Sequence, residues 1–257
     1  MSGVLLKLEG ITKTFERSSN AIMALSPTDL TVERKEFVAL VGPSGCGKST
    51  ILNMVAGLLQ PSGGKLAYDG KPVEDLNLRV GYMTQKDTLL PWRTVTDNIG
   101  APLELACRRT SKSERADKIR QMIELVGLKG FENHYPGELS GGMRRRVAFA
   151  RMLIYDPETL LMDEPFGALD PITRDSLARE YRAAPQSLGL TTVMITHDML
   201  EAVLLADRIA VMNAGEIVAI GTPHDLLTNP KNDYVRELID VPRRQASEVE
   251  RLAEGRL

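Results

Sequence analysis

Residues 42–49 follow the pattern Gly-x-x-x-x-Gly-Lys-Ser, which constrains the fold more than any other feature of the chain. The apolar run of residues 37–41 precedes the pattern and predicts a buried strand, and residues 51–59, which have helical character, follow it. Glycine has no Cβ, so the backbone here can adopt positive φ and bring its N–H groups against phosphate oxygens. The sequence therefore predicts a strand, a phosphate-binding loop and a helix, the start of an α/β fold.

The side chains at the end of this loop suit a metal-complexed phosphate chain. Lys48 supplies a full positive charge to the β- and γ-phosphates, and the Ser49 hydroxyl is placed to ligate Mg²⁺. The helix that starts near Lys48 adds unpaired N–H donors and the positive end of its dipole. A glycine turn beside a chance lysine is the alternative, and the flanking strand and helix disfavour it. The predicted binding segment consists of Gly42, Pro43, Ser44, Gly45, Cys46, Gly47, Lys48, Ser49 and Thr50.

Composition limits the classes of protein that this chain can represent. Its 257 residues suffice for one large or two small domains with a buried core. The 32 basic and 34 acidic residues give a formal net charge of −2, so no global basic field favours nucleic acid as a partner. Cys46 and Cys107 lie far apart, which argues against a disulfide framework and suits a reducing cytosol. The sequence shows neither a secretory signal nor 18 consecutive apolar residues, so we expect a protein that is soluble by itself.

The segments around the loop predict further strands. Residues 4–11 and 27–33 alternate in polarity and flank a polar loop at residues 17–20. Phe15 stands between them, where its ring either stacks on a nucleobase or packs in a hairpin; taken alone, packing is favoured. Residues 65–70 and 79–84 also predict strands, and Gln85 follows the second. Its amide either ligates a metal and orients water or is polar surface.

The middle of the chain predicts a helical insertion in the α/β domain, from about residue 86 to residue 139. It contains Trp92, which either belongs to the core or marks a surface for docking a partner. Ser140 is then predicted to be the N-cap of a helix, with Gly141 and Gly142 directly after it. This is a second helix N-terminus suited to an anion. The arginines that follow form a basic face, for which a solvated surface is the simpler interpretation.

Two later strands end in side chains that can take part in catalysis. Residues 158–165 predict a buried strand that ends in Asp163 and Glu164. Downstream of a phosphate-binding loop, the aspartate is expected to hold Mg²⁺ and the glutamate to polarise a water for in-line attack on the γ-phosphate. His197 follows the buried strand of residues 192–196, at the end of a sheet where α/β proteins gather their ligands, and can hydrogen-bond a γ-phosphate.

The C-terminal part predicts a hairpin with a glycine turn at residues 208–218 and short helices from residue 223 onward. A charged tail, residues 243–257, is expected to be partly disordered.

Taken in order, these motifs resemble the ATP-binding cassette family of transport ATPases over nearly the whole chain. The matching segments are the phosphate-binding loop, the glutamine loop at Gln85, the Leu-Ser-Gly-Gly motif at residues 139–142, the acidic strand at residues 160–164, the aspartate loop at residues 168–170, and the switch histidine, His197. Met143 replaces the glutamine that usually completes the motif, and Lys35 stands at a turn where the family commonly has glycine.

The resemblance implies a P-loop α/β core with an antiparallel β subdomain and a helical subdomain. It places an ATPase domain at residues 1–241, with the helical subdomain at about 86–157, and a charged tail at 242–257. ATP and Mg²⁺ are the implied ligands, with Phe15 stacking on adenine. The implied catalytic residues are Glu164, His197 and Gln85, and the implied metal ligands are Ser49, Gln85 and Asp163.

The resemblance also implies partners. Two copies are expected to sandwich two ATP molecules head to tail, so that Ser140, Gly141 and Gly142 of one copy face the γ-phosphate held by the other. Integral-membrane permease subunits, and indirectly a solute-binding protein, complete an importer at the cytoplasmic face of the bacterial inner membrane. Residues 85–98 resemble nitrate, sulfonate and taurine importers, whereas residues 221–230 are more like osmoprotectant and polyamine importers. A soluble cassette ATPase acting on nucleic acid or ribosomes, or an exporter subunit, is the alternative.

Overall fold

The computed structural model describes residues 3–17, 20–105, 111–167 and 169–253. Cys107 and the first residue of the expected aspartate loop, residue 168, lie outside these ranges. The described strands are β1 Val4–Arg17, β2 Asn20–Glu33, β3 Phe37–Val41, β4 Gly63–Tyr68, β5 Lys71–Pro72, β6 Val80–Met83, β7 Thr159–Asp163, β8 Thr191–Thr196, β9 Arg208–Asn213 and β10 Glu216–Gly221. The described helices are α1 Lys48–Val55, α2 Val95–Leu105, α3 Lys112–Leu125, α4 Gly141–Leu153, α5 Pro171–Leu188, α6 Met199–Leu205, α7 Pro223–Thr228 and α8 Asp233–Ala253, with a 3-10 turn at Pro136–Glu138.

The larger sheet has six strands in the order β10-β9-β3-β8-β7-β6. Its strands β9, β3, β8, β7 and β6 pair in parallel, and β10 adds an antiparallel edge. All five residues of β3 and all six of β8 are buried, as expected for parallel strands covered on both faces. Because these strands run in parallel, the carboxyl ends of β6, β7 and β8 lie side by side at one edge of the sheet.

A core lies on each face of this sheet, and the strand residues alternate between them. Phe37, Ala39 and Val41 contact the core formed with helices α2 to α8, whereas Val38 and Leu40 contact the core formed with α1 and the second sheet. That second sheet is antiparallel, with the order β2-β1-β4-β5. This arrangement is the expected P-loop core with an antiparallel β sheet and helices α2–α4 inserted between β6 and β7.

The amino-terminal hairpin is longer than the sequence patterns predict. β1 and β2 have 14 residues each, and Arg17 pairs directly with Asn20, so both ends of the predicted polar loop belong to strands, while residues 18 and 19 lie outside the described ranges. The register of the pair shifts at four places between residues 4 and 14 of β1, so the strand departs from a regular ladder over most of its length. Phe15 therefore lies within β1, opposite Ile22 of β2.

The carboxy-terminal segment also differs from expectation. Helix α8 continues through residue 253, so the charged segment from residue 243 to that point is helical rather than disordered. The expected division between residues 241 and 242 falls inside this helix, beside Pro242. In the ranges that the structure describes, no helix combines the length and apolar character needed to cross a membrane.

Candidate functional site

The phosphate-binding loop curls around the side chain of its own lysine. Lys48 is only 5% exposed, and its Nζ donates hydrogen bonds to the carbonyl oxygens of Gly42 at 2.7 Å and Pro43 at 2.8 Å. Gly47 is the N-cap of α1 with φ of +100°, and a Cβ there would lie 2.8 Å from the carbonyl oxygen of Ala24. A Cβ on Gly42 would lie 2.2 Å from the carbonyl oxygen of Met212. Glycine is thus required at both positions, by φ at one and by close packing at the other.

Two acidic side chains leave the end of β7 in different environments. Asp163 is the last residue of the strand, and its burial raises the pKa of the carboxyl group, an effect that hydrogen bonding to Ser49 opposes. Glu164 follows with φ of +46°, and its N–H donates to the carbonyl oxygen of Ile195 in β8 at 3.0 Å. That backbone bond fixes a conformation that is uncommon for a residue with a side chain, and it sets the direction in which Glu164 leaves the sheet.

Three side chains from neighbouring strand ends meet at one carboxylate oxygen. Gln85 follows β6, and its Nε2 donates to Oε2 of Glu164 at 3.0 Å. His197 follows β8, and its Nδ1 lies 3.5 Å from the same oxygen. The order β8-β7-β6 places these three residues together although they are far apart in sequence. The expected grouping of Gln85, Glu164 and His197 therefore exists within a single chain.

A cavity of about 270 Å³ lies between this cluster and the phosphate-binding loop. It is lined by Ala24, Ser44, Gly45, Gly47, Lys48, Ser49, Thr50, Gln85, Asp163 and Glu164. Most of the predicted loop therefore shares one cavity with the predicted metal ligands and the predicted base. Phe15 is not among the lining residues; its ring is partly exposed on β1, with Nζ of Lys13 5.3 Å from its centroid.

The second predicted anion site lies elsewhere in the chain. The Ser140 side chain caps α4 by accepting a hydrogen bond from the N–H of Met143 at 3.2 Å, as the sequence predicts. A Cβ on Gly142 would lie 2.5 Å from Cγ2 of Thr173, so close packing against α5 requires glycine there. Ser140, Gly141 and Gly142 are not among the residues that line the cavity, so one chain alone does not bring them to its own Lys48.

The donor set around Asp163 fits Mg²⁺. Within the described ranges, no group of three or more His, Cys, Asp and Glu side chains forms a metal site. The carboxylate of Asp163, the Ser49 hydroxyl and the Gln85 amide line the cavity instead, and all three are oxygen donors. Mg²⁺ usually takes one or two protein carboxylates or hydroxyls and completes its octahedron with phosphate oxygens and water. A few oxygen donors next to a phosphate-binding loop therefore suit Mg²⁺ better than a metal that needs a full protein cage.

The raised pKa of Asp163 predicts a measurable gain in stability for Asp163→Asn at neutral pH. Burial favours the neutral acid, so the contribution of Asp163 to the free energy of unfolding is greatest below its unfolded pKa of about 3.9 and is lost as the pH rises through the raised value. Asparagine is uncharged at every pH, so the variant lacks this destabilising charge. In buffer with EDTA and no nucleotide, we expect a higher Tm for the variant at pH 7.5 and a smaller difference at pH 4.5.

The matched control for this measurement is Asp75→Asn, which alters an exposed aspartate and should leave the Tm unchanged at both pH values. Equal Tm values for wild type and Asp163→Asn at pH 7.5 would contradict the assignment of a destabilising buried charge to Asp163.

Several residues that hold the site were not identified from the sequence. The sequence favours a solvated face for the arginines of α4, but three of the four, Arg144, Arg145 and Arg151, bind the segment that carries Gln85. The fully buried amide of Asn98 holds the turn around Trp92 by accepting from the N–H of Leu90 at 2.8 Å and donating to the carbonyl oxygen of Arg93 at 2.9 Å. Trp92 is 71% exposed, which excludes the core interpretation. Contacts to backbone carbonyls leave no residue pattern in a sequence, so only the fold reveals them.

Known proteins with similar sequences support the resemblance. The family model described as "ABC transporter" matches residues 25–167. The chain is 41% identical over 242 residues to the glycine betaine/carnitine/choline transport ATP-binding protein OpuCA of Bacillus subtilis, covering 91% of this chain and 62% of the relative. It is 40% identical over 235 residues to the sulfate/thiosulfate import ATP-binding protein CysA of Pseudomonas syringae pv. tomato, covering 90% and 71%. The chain thus spans less than two thirds of the length of OpuCA.

Two further comparisons cover the other protein almost completely. An uncharacterized ABC transporter ATP-binding protein of Methanocaldococcus jannaschii, MJ0412, is 43% identical over 245 residues, with 93% of this chain and 91% of that protein covered. The dimeric, post-hydrolysis structure of the ATP-binding cassette MJ0796 with ADP and phosphate has a TM-score of 0.77 and 32% identity, covering 85% of this chain and 99% of that one. On sequence and on fold, this chain belongs to the ABC transporter family and is an ATP-binding cassette.

Proposed function

We propose that this chain hydrolyses ATP to ADP and phosphate and couples that reaction to the uptake of a small polar solute through separate membrane permease subunits. One observation carries the catalytic part of the proposal: Gln85, Glu164 and His197 converge beside the cavity that Lys48 lines. A carboxylate held by a neighbouring amide, next to a phosphate-binding loop, is suited to act as a general base toward water.

The chemistry follows from the position of each group. Lys48 and the loop N–H groups bind the β- and γ-phosphates, and Lys48 exchanges its bonds to the carbonyl oxygens of the loop for bonds to phosphate. Glu164 accepts the proton of the attacking water, and the amide of Gln85 holds its carboxylate in position. His197 donates a hydrogen bond to the γ-phosphate. Ser49, Asp163 and Gln85 would hold Mg²⁺, which would supply positive charge to neutralise the phosphates.

A second copy of the chain completes the site in this proposal. Ser140, Gly141 and Gly142 form the N-terminus of a 13-residue helix, whose N–H groups and dipole favour an anion. They do not line the cavity of their own chain, so the γ-phosphate that they bind belongs to the partner subunit's nucleotide. The dimeric MJ0796 cassette, with ADP and phosphate bound, supports a homodimer.

Mixing two inactive variants tests this arrangement. Lys48→Ala disables the phosphate-binding loop, and Gly141→Asp places a negative charge where the partner's γ-phosphate is expected, with room for a side chain beside Leu169. In a mixed dimer one composite site keeps both intact elements, because Lys48 and Gly141 come from different chains. We expect phosphate release from the mixture and none from either variant alone. No recovery on mixing, with heterodimers present by mass, would contradict the head-to-tail site.

The transport role rests on the relatives and on an exposed aromatic surface. OpuCA is named as a glycine betaine/carnitine/choline transport ATP-binding protein, and CysA as a sulfate/thiosulfate import ATP-binding protein. The exposed Trp92 provides apolar surface suited to contact with a permease. The proposed location is peripheral, at the cytoplasmic face of the bacterial inner membrane, with a solute-binding protein as an indirect partner that selects an osmoprotectant-like or nitrate-, sulfonate- or taurine-like solute.

Affinity purification from membranes separates this role from its main alternative. Co-purification with hydrophobic permease subunits is expected if the chain powers an importer. Co-purification with nucleic acid or ribosomes instead would favour a soluble cassette ATPase, for which the net charge of −2 offers no general attraction.

A further inference from the structure

Helix α4 holds the segment that carries Gln85 at several points along its length. Arg145 binds the backbone of Thr84 and Gln85 at the start of the segment. Arg144 pairs with the carboxylate of Asp87 at 3.1 Å. Further along the helix, Arg151 donates to the carbonyl oxygen of Asp87 at 2.9 Å and to that of Thr88 at 3.0 Å. The same helix begins at the Ser140 cap, so one rigid element connects the second anion site with the position of Gln85.

Arg145 has the contact nearest to the reacting groups. Its Nη1 donates to the carbonyl oxygen of Thr84 at 3.2 Å, and its Nη2 donates to the carbonyl oxygen of Gln85. The residue is only 8% exposed. A guanidinium binds two carbonyl oxygens through a rigid planar fork, so it fixes the direction of the backbone as well as its distance.

The backbone of Arg145 is itself anchored. The hydroxyl of Tyr181 in α5 donates to the carbonyl oxygen of Arg145 at 3.0 Å. Tyr181 is fully buried and stacks on Phe149, with 4.1 Å between the ring centroids. A buried guanidinium lowers the stability of the fold unless its hydrogen bonds are made. Because the backbone of Arg145 is fixed by Tyr181, its guanidinium holds the loop in one position.

We propose that Arg145 is a positioning residue that holds the Gln85 backbone so that the Gln85 amide reaches the carboxylate of Glu164. This inference rests on the proposed ATP hydrolysis and assigns to it a residue outside the nucleotide cavity. Arg145 touches neither nucleotide nor water in this role. Its effect passes through the 3.0 Å hydrogen bond between Gln85 and Glu164.

A purely structural role for Arg145 makes a different prediction from a positioning role. If Arg145 only supported helix–loop packing, Arg145→Met would lower the Tm and would reduce the amount of active protein. Both effects would be the same with glutamine or alanine at residue 85. A positioning residue acts only while Gln85 is present to be positioned. Measuring both substitutions alone and together distinguishes the two cases, because groups that act through one contact are not additive.

The experiment measures kcat, KM for ATP and Tm for wild type, Arg145→Met, Gln85→Ala and the double variant. We expect Arg145→Met to lower kcat by about 10-fold with KM little changed, the scale expected when a reacting group is displaced by a fraction of an ångström to an ångström. In the Gln85→Ala background, we expect the same substitution to cause no further loss of kcat. Arg145→Lys, which can bind one carbonyl oxygen, should recover part of the rate.

The matched control is Arg146→Met on the same helix. Arg146 is partly buried and binds the carbonyl oxygen of Val126 and the carboxylate of Glu180, so its removal perturbs α4 without touching the Gln85 segment. Its effect on kcat should be equal in the two backgrounds.

An equal loss of kcat in both backgrounds, or an unchanged kcat in Arg145→Met, would overturn the positioning role while leaving ATP hydrolysis intact. Absence of phosphate release by the wild-type chain would overturn the proposed function and the inference together. If Arg145→Met does not fold, the same cycle with Arg145→Lys gives the answer, since an additive loss there contradicts the proposal equally.

Discussion

Lys48→Ala is expected to raise the Kd for ATP by about 10²–10⁴-fold. The ammonium group can form two charge-assisted hydrogen bonds to phosphate oxygens, each contributing about 1.5–3 kcal/mol. Together they amount to about 3–6 kcal/mol, which corresponds to that range of affinity. The side chain is buried against Gly42 and Pro43 at the wall of the cavity, so the phosphates meet a positive charge that is already in place.

The same contacts make a second effect of this substitution small. Removing the ammonium leaves two carbonyl oxygens of the loop without their donor, but Lys48 lines the cavity, so water can enter the space that its side chain vacates and replace the lost bonds. We therefore expect a Tm close to that of wild type in the absence of nucleotide. The change in Kd then reports on phosphate binding rather than on unfolding.

Titration calorimetry with ATP and Mg²⁺ measures the affinity, and Lys65→Ala is the control because Lys65 is an exposed lysine of the antiparallel sheet. An unchanged Kd in Lys48→Ala would remove the loop from the binding site. A large fall in Tm would instead show that Lys48 acts mainly by ordering the loop.

The parts of the fold that follow from local composition were predictable. β3 and β8 are continuous apolar runs because both faces of a parallel sheet are covered, and such runs stand out in a sequence. The glycines and lysine of the phosphate-binding loop are required by backbone geometry and charge, and they too are local. The Ser140 cap is a third local signal, since it depends only on the helix that follows it.

The arrangement of these elements in space could not be predicted from local signals. Gln85, Glu164 and His197 meet only because β6, β7 and β8 are neighbours in the larger sheet, and strand order is not encoded in any one segment. The resemblance to a family suggested the grouping, and the structure provides its distances. The full length of β1 was missed because it depends on pairing with β2. The side chains of α8 from residue 243 to residue 253 are exposed, so no packing against the core marks its helical course there.

The role of the α4 arginines was the least predictable part of the site. A run of arginines on a helix is most simply explained by solvent exposure, and neither Arg145 nor Arg151 has a sequence pattern that pairs it with residues 84–88. The partners are backbone carbonyl oxygens, which every residue type offers alike. Only the packing of α4 against the end of β6 determines which carbonyl oxygens are reached.

Glu164→Gln is expected to retain ATP binding and to lower kcat by about 10²–10⁴-fold, the scale of a positioned general base. Glutamine preserves the size of the side chain and can still bond to Gln85, so the cavity and the phosphate contacts of Lys48 remain. It has no carboxylate to accept the proton of the attacking water. The loss should therefore appear in kcat, while the Kd for ATP stays within about threefold of wild type.

The control is Glu201→Gln, a nearby half-buried carboxylate that accepts a hydrogen bond from the Thr196 hydroxyl at 2.5 Å and does not line the cavity. Glutamine can accept the same bond, so kcat should change little. Phosphate release under saturating ATP and Mg²⁺, together with a separate measurement of ATP binding, gives both quantities. Full turnover by Glu164→Gln would exclude Glu164 as the base. An equal loss of kcat in Glu201→Gln would show that negative charge near the strand ends, rather than proton transfer at Glu164, controls the rate.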